Sequence, residues 1–157
     1  MYSNIYLRKG KDQSLRRFHP WVFSGAIAKH DGELKEGDIV RVIDSEGECL
    51  GVGHYQIGSI AVRMLSFNDI VIDRNFWAGH ISAALEMRRS IGVIGDDNNM
   101  FRLVHGEGDQ LPGLVLLGGG HSRIAVRHDA PPFFTCSFHA SMTLSIAARA
   151  SLRLRME

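Results

Sequence analysis

The chain has 157 residues, 45% of them hydrophobic and 22% charged, with 18 Lys and Arg against 17 Asp and Glu. That composition excludes the disordered, collagenous and disulfide-scaffold classes; no apolar run approaches the ~18 residues of a membrane span, and no basic segment followed by an apolar run opens the chain, so a cytoplasmic globular protein is expected. The net charge of +1 is uneven, because residues 1–117 hold 13 basic and 15 acidic side chains whereas residues 118–157 hold 5 and 2.

Residues 1–68 are expected to be β-rich. Ile5-Tyr6-Leu7 is a short strand. Ser14 to His19 makes one helical turn before Pro20 restricts the backbone, and Trp21-Val22-Phe23 is extended. Three further strands are expected at Asp38–Ile43, Glu48–Tyr55 and Ile60–Phe67. They are separated by the turns Asp44-Ser45-Glu46-Gly47 and Gln56-Ile57-Gly58-Ser59. Short strands at this spacing predict a small barrel.

From residue 69 the texture changes. Asp73 is placed to cap a helix reaching about Arg89, with Phe76, Trp77, Ile81, Ala84, Leu85 and Arg88 on one stripe, and Gly92 is placed to end it. Asp96-Asp97-Asn98-Asn99 is a turn cluster. Phe101–His105 and Leu114–Leu117 read as two strands joined by a rigid connection that His105 and Asp109 fix. Helix followed by hairpin makes a small α+β unit. Gly118-Gly119-Gly120 reads as a linker rather than a cofactor loop, because Ile124-Ala125-Val126 favours another strand where a helix would be needed. Ser141–Arg155 can be drawn as a helix, though without a clean apolar stripe.

Two stretches, RKGKDQSLRRFHPWVFSGAI at residues 8–27 and FRLVHGEGDQLPGLV at residues 101–115, carry a family resemblance together with the intervening GDIVRVIDSEGECLGVGHYQ and IAVRMLSF. They resemble the N-terminal half of the S-adenosylmethionine-dependent 23S ribosomal RNA cytosine-C5 methyltransferases that carry a leading PUA domain. The resemblance implies a PUA-like β pseudobarrel with RNA-binding capacity over residues 1–68, then a truncated α+β linking domain over residues 69–117. The expected fold class is therefore mixed β and α+β, with no Rossmann methyltransferase domain.

The resemblance also implies S-adenosylmethionine as cofactor of full-length members. No cofactor is expected in this chain, because residues 118–157 are too few for several βα units of roughly 30 residues each. Those residues are an atypical tail, read either as the extension of a short paralogue or as the product of a frame shift. Their lack of Lys, scarcity of acids and enrichment in Ser, Ala, Arg and His favour the frame shift.

Cytosine C5 methylation, as the resemblance implies, uses a cysteine thiolate. Cys49 lies on a barrel strand, where a small buried residue is expected, and Cys136 lies outside the recognisable region. No catalytic residue and no metal site are expected.

The functional candidates are Arg8, Lys9, Lys11, Arg16, Arg17, His19 and Trp21, with only Asp12 opposing them, and Arg63 as a lesser member. Cations meet phosphates and an indole offers a face to an unpaired base. For Trp21 and Phe23, filling the barrel is the favoured reading. Three functions stand at this point. The leading one is an RNA-binding fragment, with rRNA as partner, that is catalytically inactive alone. The others are a methyltransferase-family chain active only with a separate catalytic chain, and a homo-oligomerising structural module that covers apolar surface on the helix and hairpin.

Overall fold

The computed structural model describes residues 2–95, 98, 100–119 and 125–126. The chain divides into two compact units, one ending at Ile72 and one beginning at Asp73.

The first unit is one six-stranded sheet. Its strands are β1 (Ser3–Leu7), β2 (Trp21–Phe23), β3 (Ile27–His30), β4 (Ile39–Ile43), β5 (Cys49–Tyr55) and β6 (Ile60–Ser66), in the order β2-β6-β5-β4-β1-β3. Neighbours are antiparallel except β1 and β4, which run parallel with Ile5 opposite Val42. Parallel neighbours need a crossover, and the chain between β1 and β4 runs through the basic segment with its short helix α1 (Gln13–Arg16), then β2 and β3.

Ile5, Val40, Val42 and Val62 are fully buried in the core of this sheet, and α1 adds Leu15. Each such side chain contributes about 1.5–3 kcal/mol of burial. β5 lies so close to β6 that a Cβ on Gly51, at φ +137°, would stand 2.2 Å from the Ser66 carbonyl oxygen. A glycine is required there by space and by conformation alike.

Two expectations are corrected. The sequence reading omitted β3, an edge strand whose residues Ala28, Lys29 and His30 are all exposed and carry no alternation. Phe23 does not fill the barrel. Successive strand residues face opposite ways, so burying Val22 turns Phe23 outward, where it is 50% exposed, and leaves Trp21 half-buried.

The second unit opens with α2 (Arg74–Ser90), capped by Asp73, whose Oδ1 accepts the Phe76 N–H at 2.9 Å. Ile81, Ala84 and Leu85 are buried against Leu103, Val104, Leu111, Leu114 and Leu116, with Phe76 and Trp77 packed beside them. The helix ends in a Schellman turn: Gly92, at φ +72°, donates to the Arg89 carbonyl at 3.1 Å, and Val93 donates to that of Arg88 at 3.0 Å.

β7 (Met100–His105) and β8 (Val115–Gly119) form the hairpin, and β9 (Ala125–Val126) adds to β8 antiparallel. A 3₁₀ turn at Gly106–Asp109 lies in the hairpin connection. Gly118 and Gly119 therefore close a strand rather than begin a linker. A Cβ on Gly118 would stand 2.8 Å from the Phe101 ring, so the glycine lets that ring lie on the sheet. Asp96, Asp97 and Asn99 of the turn cluster, Gly120 and the Ser141–Arg155 helix lie outside the described residues.

Candidate nucleic-acid interface

Arg8, Lys9, Lys11, Arg16, Arg17 and His19 are all exposed, on the segment that carries the chain from β1 through α1 to β2. Arg8 is anchored at both ends, its N–H donating to the Ala26 carbonyl at 2.9 Å and its Nε to that of Ile27 at 3.1 Å. Lys11 N–H in turn donates to the Arg8 carbonyl at 3.0 Å, so the Lys9-Gly10-Lys11 turn is held in place.

Trp21 draws two other candidates together. Its ring meets His19 edge to face at 5.5 Å between centroids, and the guanidinium carbon of Arg63, opposite it on β6, lies 5.5 Å from the ring centre. Arg63 Nε also donates to Gln56 Oε1 at 2.7 Å, which fixes the cation over the indole. Lys11, Ser14, Trp21 and Phe23 line a cleft of about 330 Å³ on this side of the unit. The Trp21 Nε1 is shielded from solvent and makes no hydrogen bond among the described residues.

Arg16 behaves differently. Its Nε meets Asp12 at 2.6 Å, and its Nη2 meets Asp44 at 2.8 Å and Glu48 at 2.7 Å. Asp44 is buried, with Oδ1 accepting the N–H groups of Glu46 at 2.8 Å and Glu48 at 2.9 Å, so it organises the turn between β4 and β5. Burial pushes the Asp44 carboxyl up, but the backbone hydrogen bonds and Arg16 outweigh it and hold it below the usual carboxylate range. The hydrogen bonds that Arg16 donates to Asp12 and Glu48 raise its own pKa in return. One candidate cation thus ties α1 to a distant turn.

In the second unit, both terminal guanidinium nitrogens of Arg88 donate to Asp109, Nη2 at 2.7 Å, and its Nε donates to the Arg102 carbonyl at 3.1 Å. Asp109 Oδ2 also accepts the His105 N–H at 2.6 Å. His105 and Asp109 do fix the connection, and the sequence reading lacked only the arginine that completes the clasp.

Gly118 and Gly119 do not fit a cradle for S-adenosylmethionine, since both lie within β8 and Gly118 is packed against Phe101. Cys49 is half-buried on β5, and burial pushes its thiol up, away from the thiolate a nucleophile needs. Cys136 lies outside the described residues.

Sequence reasoning missed Phe18. It is 72% exposed, at φ +61°, between two of the candidate residues. An exposed aromatic inside a basic segment was the available signal.

Comparison with known proteins agrees with this architecture. Residues 5–67 match the PUA-like domain. The chain is 40% identical over 118 residues to the ribosomal RNA large subunit methyltransferase I of Alteromonas mediterranea, covering 74% of this chain and 30% of that protein. It is 42% identical over 113 residues to the Vibrio cholerae protein of the same name, covering 71% and 28%. Among solved structures, a putative SAM-dependent methyltransferase from Streptococcus mutans shares the fold at TM-score 0.61 and 12% identity, over 75% of this chain and 30% of that one. The chain thus spans about 30% of the length of the curated relatives it matches. It carries a PUA-like domain and is related to the N-terminal part of the ribosomal RNA large subunit methyltransferase I family.

Proposed function

We propose that this chain is an RNA-binding module with ribosomal RNA as its partner, and that residues 1–68 hold the binding surface. The carrying observation is that Arg8, Lys9, Lys11 and Arg17 are all exposed on one short segment, whose Lys11 and Trp21 line the cleft. Phosphate contacts supply most of the affinity of such surfaces and a ring face accepts an unpaired base. In this reading Arg16 is a positioning residue that holds α1 in place, while His19 and Arg63 orient Trp21. In this reading residues 69–117 belong to the linking domain, whose sheet runs past that bound through Gly119 of β8 and Ala125–Val126 of β9, and the rest of residues 118–157 is the tail.

The PUA-like match and the rRNA methyltransferase relatives favour RNA over other polyanions. A cytoplasmic location goes with rRNA as partner. Among the described residues no helix is long and apolar enough to cross a membrane. We assign to these 157 residues RNA binding rather than methyl transfer; methylation of cytosine C5 with S-adenosylmethionine belongs in this reading to a separate catalytic region. Measurable S-adenosylmethionine binding by the chain in calorimetry contradicts that assignment.

Fluorescence anisotropy with labelled rRNA fragments tests the reading. Affinity is expected to fall by an order of magnitude or more between roughly 50 and 200 mM salt. No binding, or binding indifferent to salt, overturns it.

Met87, Ile91 and Met100 in the second unit are 55%, 63% and 72% exposed, which favours a second reading, homo-oligomerisation through that unit. Light scattering that finds only monomer at high protein concentration overturns it.

A further inference from the structure

α1 ends as α2 does, in a Schellman turn. The Phe18 N–H donates to the Leu15 carbonyl at 2.8 Å and the His19 N–H to that of Ser14 at 2.9 Å. In α2 the left-handed position is Gly92, the residue that adopts it without penalty; in α1 it is Phe18 at φ +61°. A bulky residue there is a true outlier and costs energy that a glycine would not.

Packing does not repay that cost. The Phe18 ring touches Phe67 edge to face at 5.3 Å, yet 72% of the residue remains in water. The turn therefore holds an apolar ring in solvent, in a backbone conformation the ring disfavours, between the exposed Arg17 and the exposed His19. Strain retained at an exposed side chain points to a contact made outside the folded chain. The neighbouring Arg17 selects an anionic polymer for that contact, and the ring selects one that carries flat bases.

We infer that Phe18 is a stacking platform for an unpaired base of bound RNA. This rests on the RNA-binding reading above and adds one residue and one ligand class, single-stranded nucleotides, to it. Stacking on an aromatic ring is indifferent to base identity, since every base has a π face. The fixed backbone presents the ring without further ordering. Phe67 meets the ring in one T-shaped contact, and most of the residue stays exposed.

The test uses the full chain with Phe18→Gly and Phe18→Asn, both compatible with the left-handed turn, and with Phe67→Ala. The probes are a fluorescein-labelled oligouridylate and the matching abasic ribose-phosphate chain. Phe18→Gly and Phe18→Asn are expected to keep the wild-type melting temperature or exceed it, and to bind the oligouridylate about 5-fold or more weakly. On the abasic chain both are expected to match the wild type, and Phe18→Trp is expected to restore oligouridylate binding. Wild-type affinity in the glycine and asparagine variants overturns the stacking role while leaving the RNA-binding reading intact. Equal weakening on the abasic chain overturns it too. A wild-type chain that binds neither probe overturns the RNA-binding reading itself. A packing role alone predicts that Phe18→Gly and Phe67→Ala both lower the melting temperature and neither changes affinity.

Discussion

Each unit contains a helix with two consecutive arginines at or next to its last turn and a Schellman turn after it, and the two ends are used differently. In the second unit Arg88 is clasped by Asp109 with both side chains largely buried, Arg89 pairs with Glu86 on its own helix, and Gly92 makes the turn. That end is closed on itself. In the first unit Arg16 is likewise bound by carboxylates, but Arg17 is exposed with no ion pair among the described residues, and the turn position holds an exposed phenylalanine. Charge in a sequence is therefore not charge available to a partner. One arginine of each pair holds the fold; the other lies at the surface in both units, paired with Glu86 in the second and without an ion pair among the described residues in the first.

Removing the closed clasp is expected to have the largest effect. Arg88→Ala leaves Asp109 buried without its cation and is expected to destabilise the second unit by about 3 kcal/mol. Chemical denaturation with a probe in each unit checks it, and the first unit should keep its own midpoint. Next, Arg16→Ala and Arg17→Ala should separate. The first is expected to lower the melting temperature, because buried Asp44 loses its partner, whereas the second should leave melting unchanged and weaken RNA binding. Identical behaviour of the two would erase the distinction drawn between them.

The turn position gives a smaller effect. Gly92→Ala places a side chain at φ +72° and is expected to cost about 1 kcal/mol in thermal or chemical melting, while Phe18→Gly costs nothing.

Acid sharpens the comparison further. Burial pushes Asp109 up, but Arg88 and the His105 N–H outweigh it, so its folded value lies below the usual carboxylate range. An unfolded aspartate titrates near about 3.9, so the stabilisation is complete above that pH and is lost as pH falls through the lower folded value. Denaturation midpoints measured from neutral pH to pH 3 should drop at the acid end, and Asp109→Asn should flatten that drop.

Local chemistry was legible in the sequence, and distant partnership was not. Asp73 as cap, Gly92 as helix stop and the stripe Phe76, Trp77, Ile81, Ala84 and Leu85 all follow from spacing along one element. The strands of the first unit follow from apolar runs bounded by turns. β3 did not, because an exposed edge strand needs no alternating pattern. Arg16 read as a phosphate ligand because its carboxylates at positions 44 and 48 are remote in sequence, and nothing local announces that they converge on it. The Arg88 to Asp109 clasp was half legible, since the carboxylate was assigned to the turn while the arginine was assigned only to its helix. The left-handed turn at Phe18 escaped notice because that conformation is expected of glycine.

The central claim is that exposed cations of the first unit, distinct from those that hold the fold, bind RNA. Its most direct test is the salt dependence of binding to single-stranded RNA by the full chain and by a Lys9→Gln, Lys11→Gln, Arg17→Gln variant. Each phosphate contact contributes about −0.7 to the slope of log affinity against log salt. A slope shallower by about 2 is expected in the variant, with an unchanged melting temperature. Parallel lines of equal slope for the two proteins would contradict it.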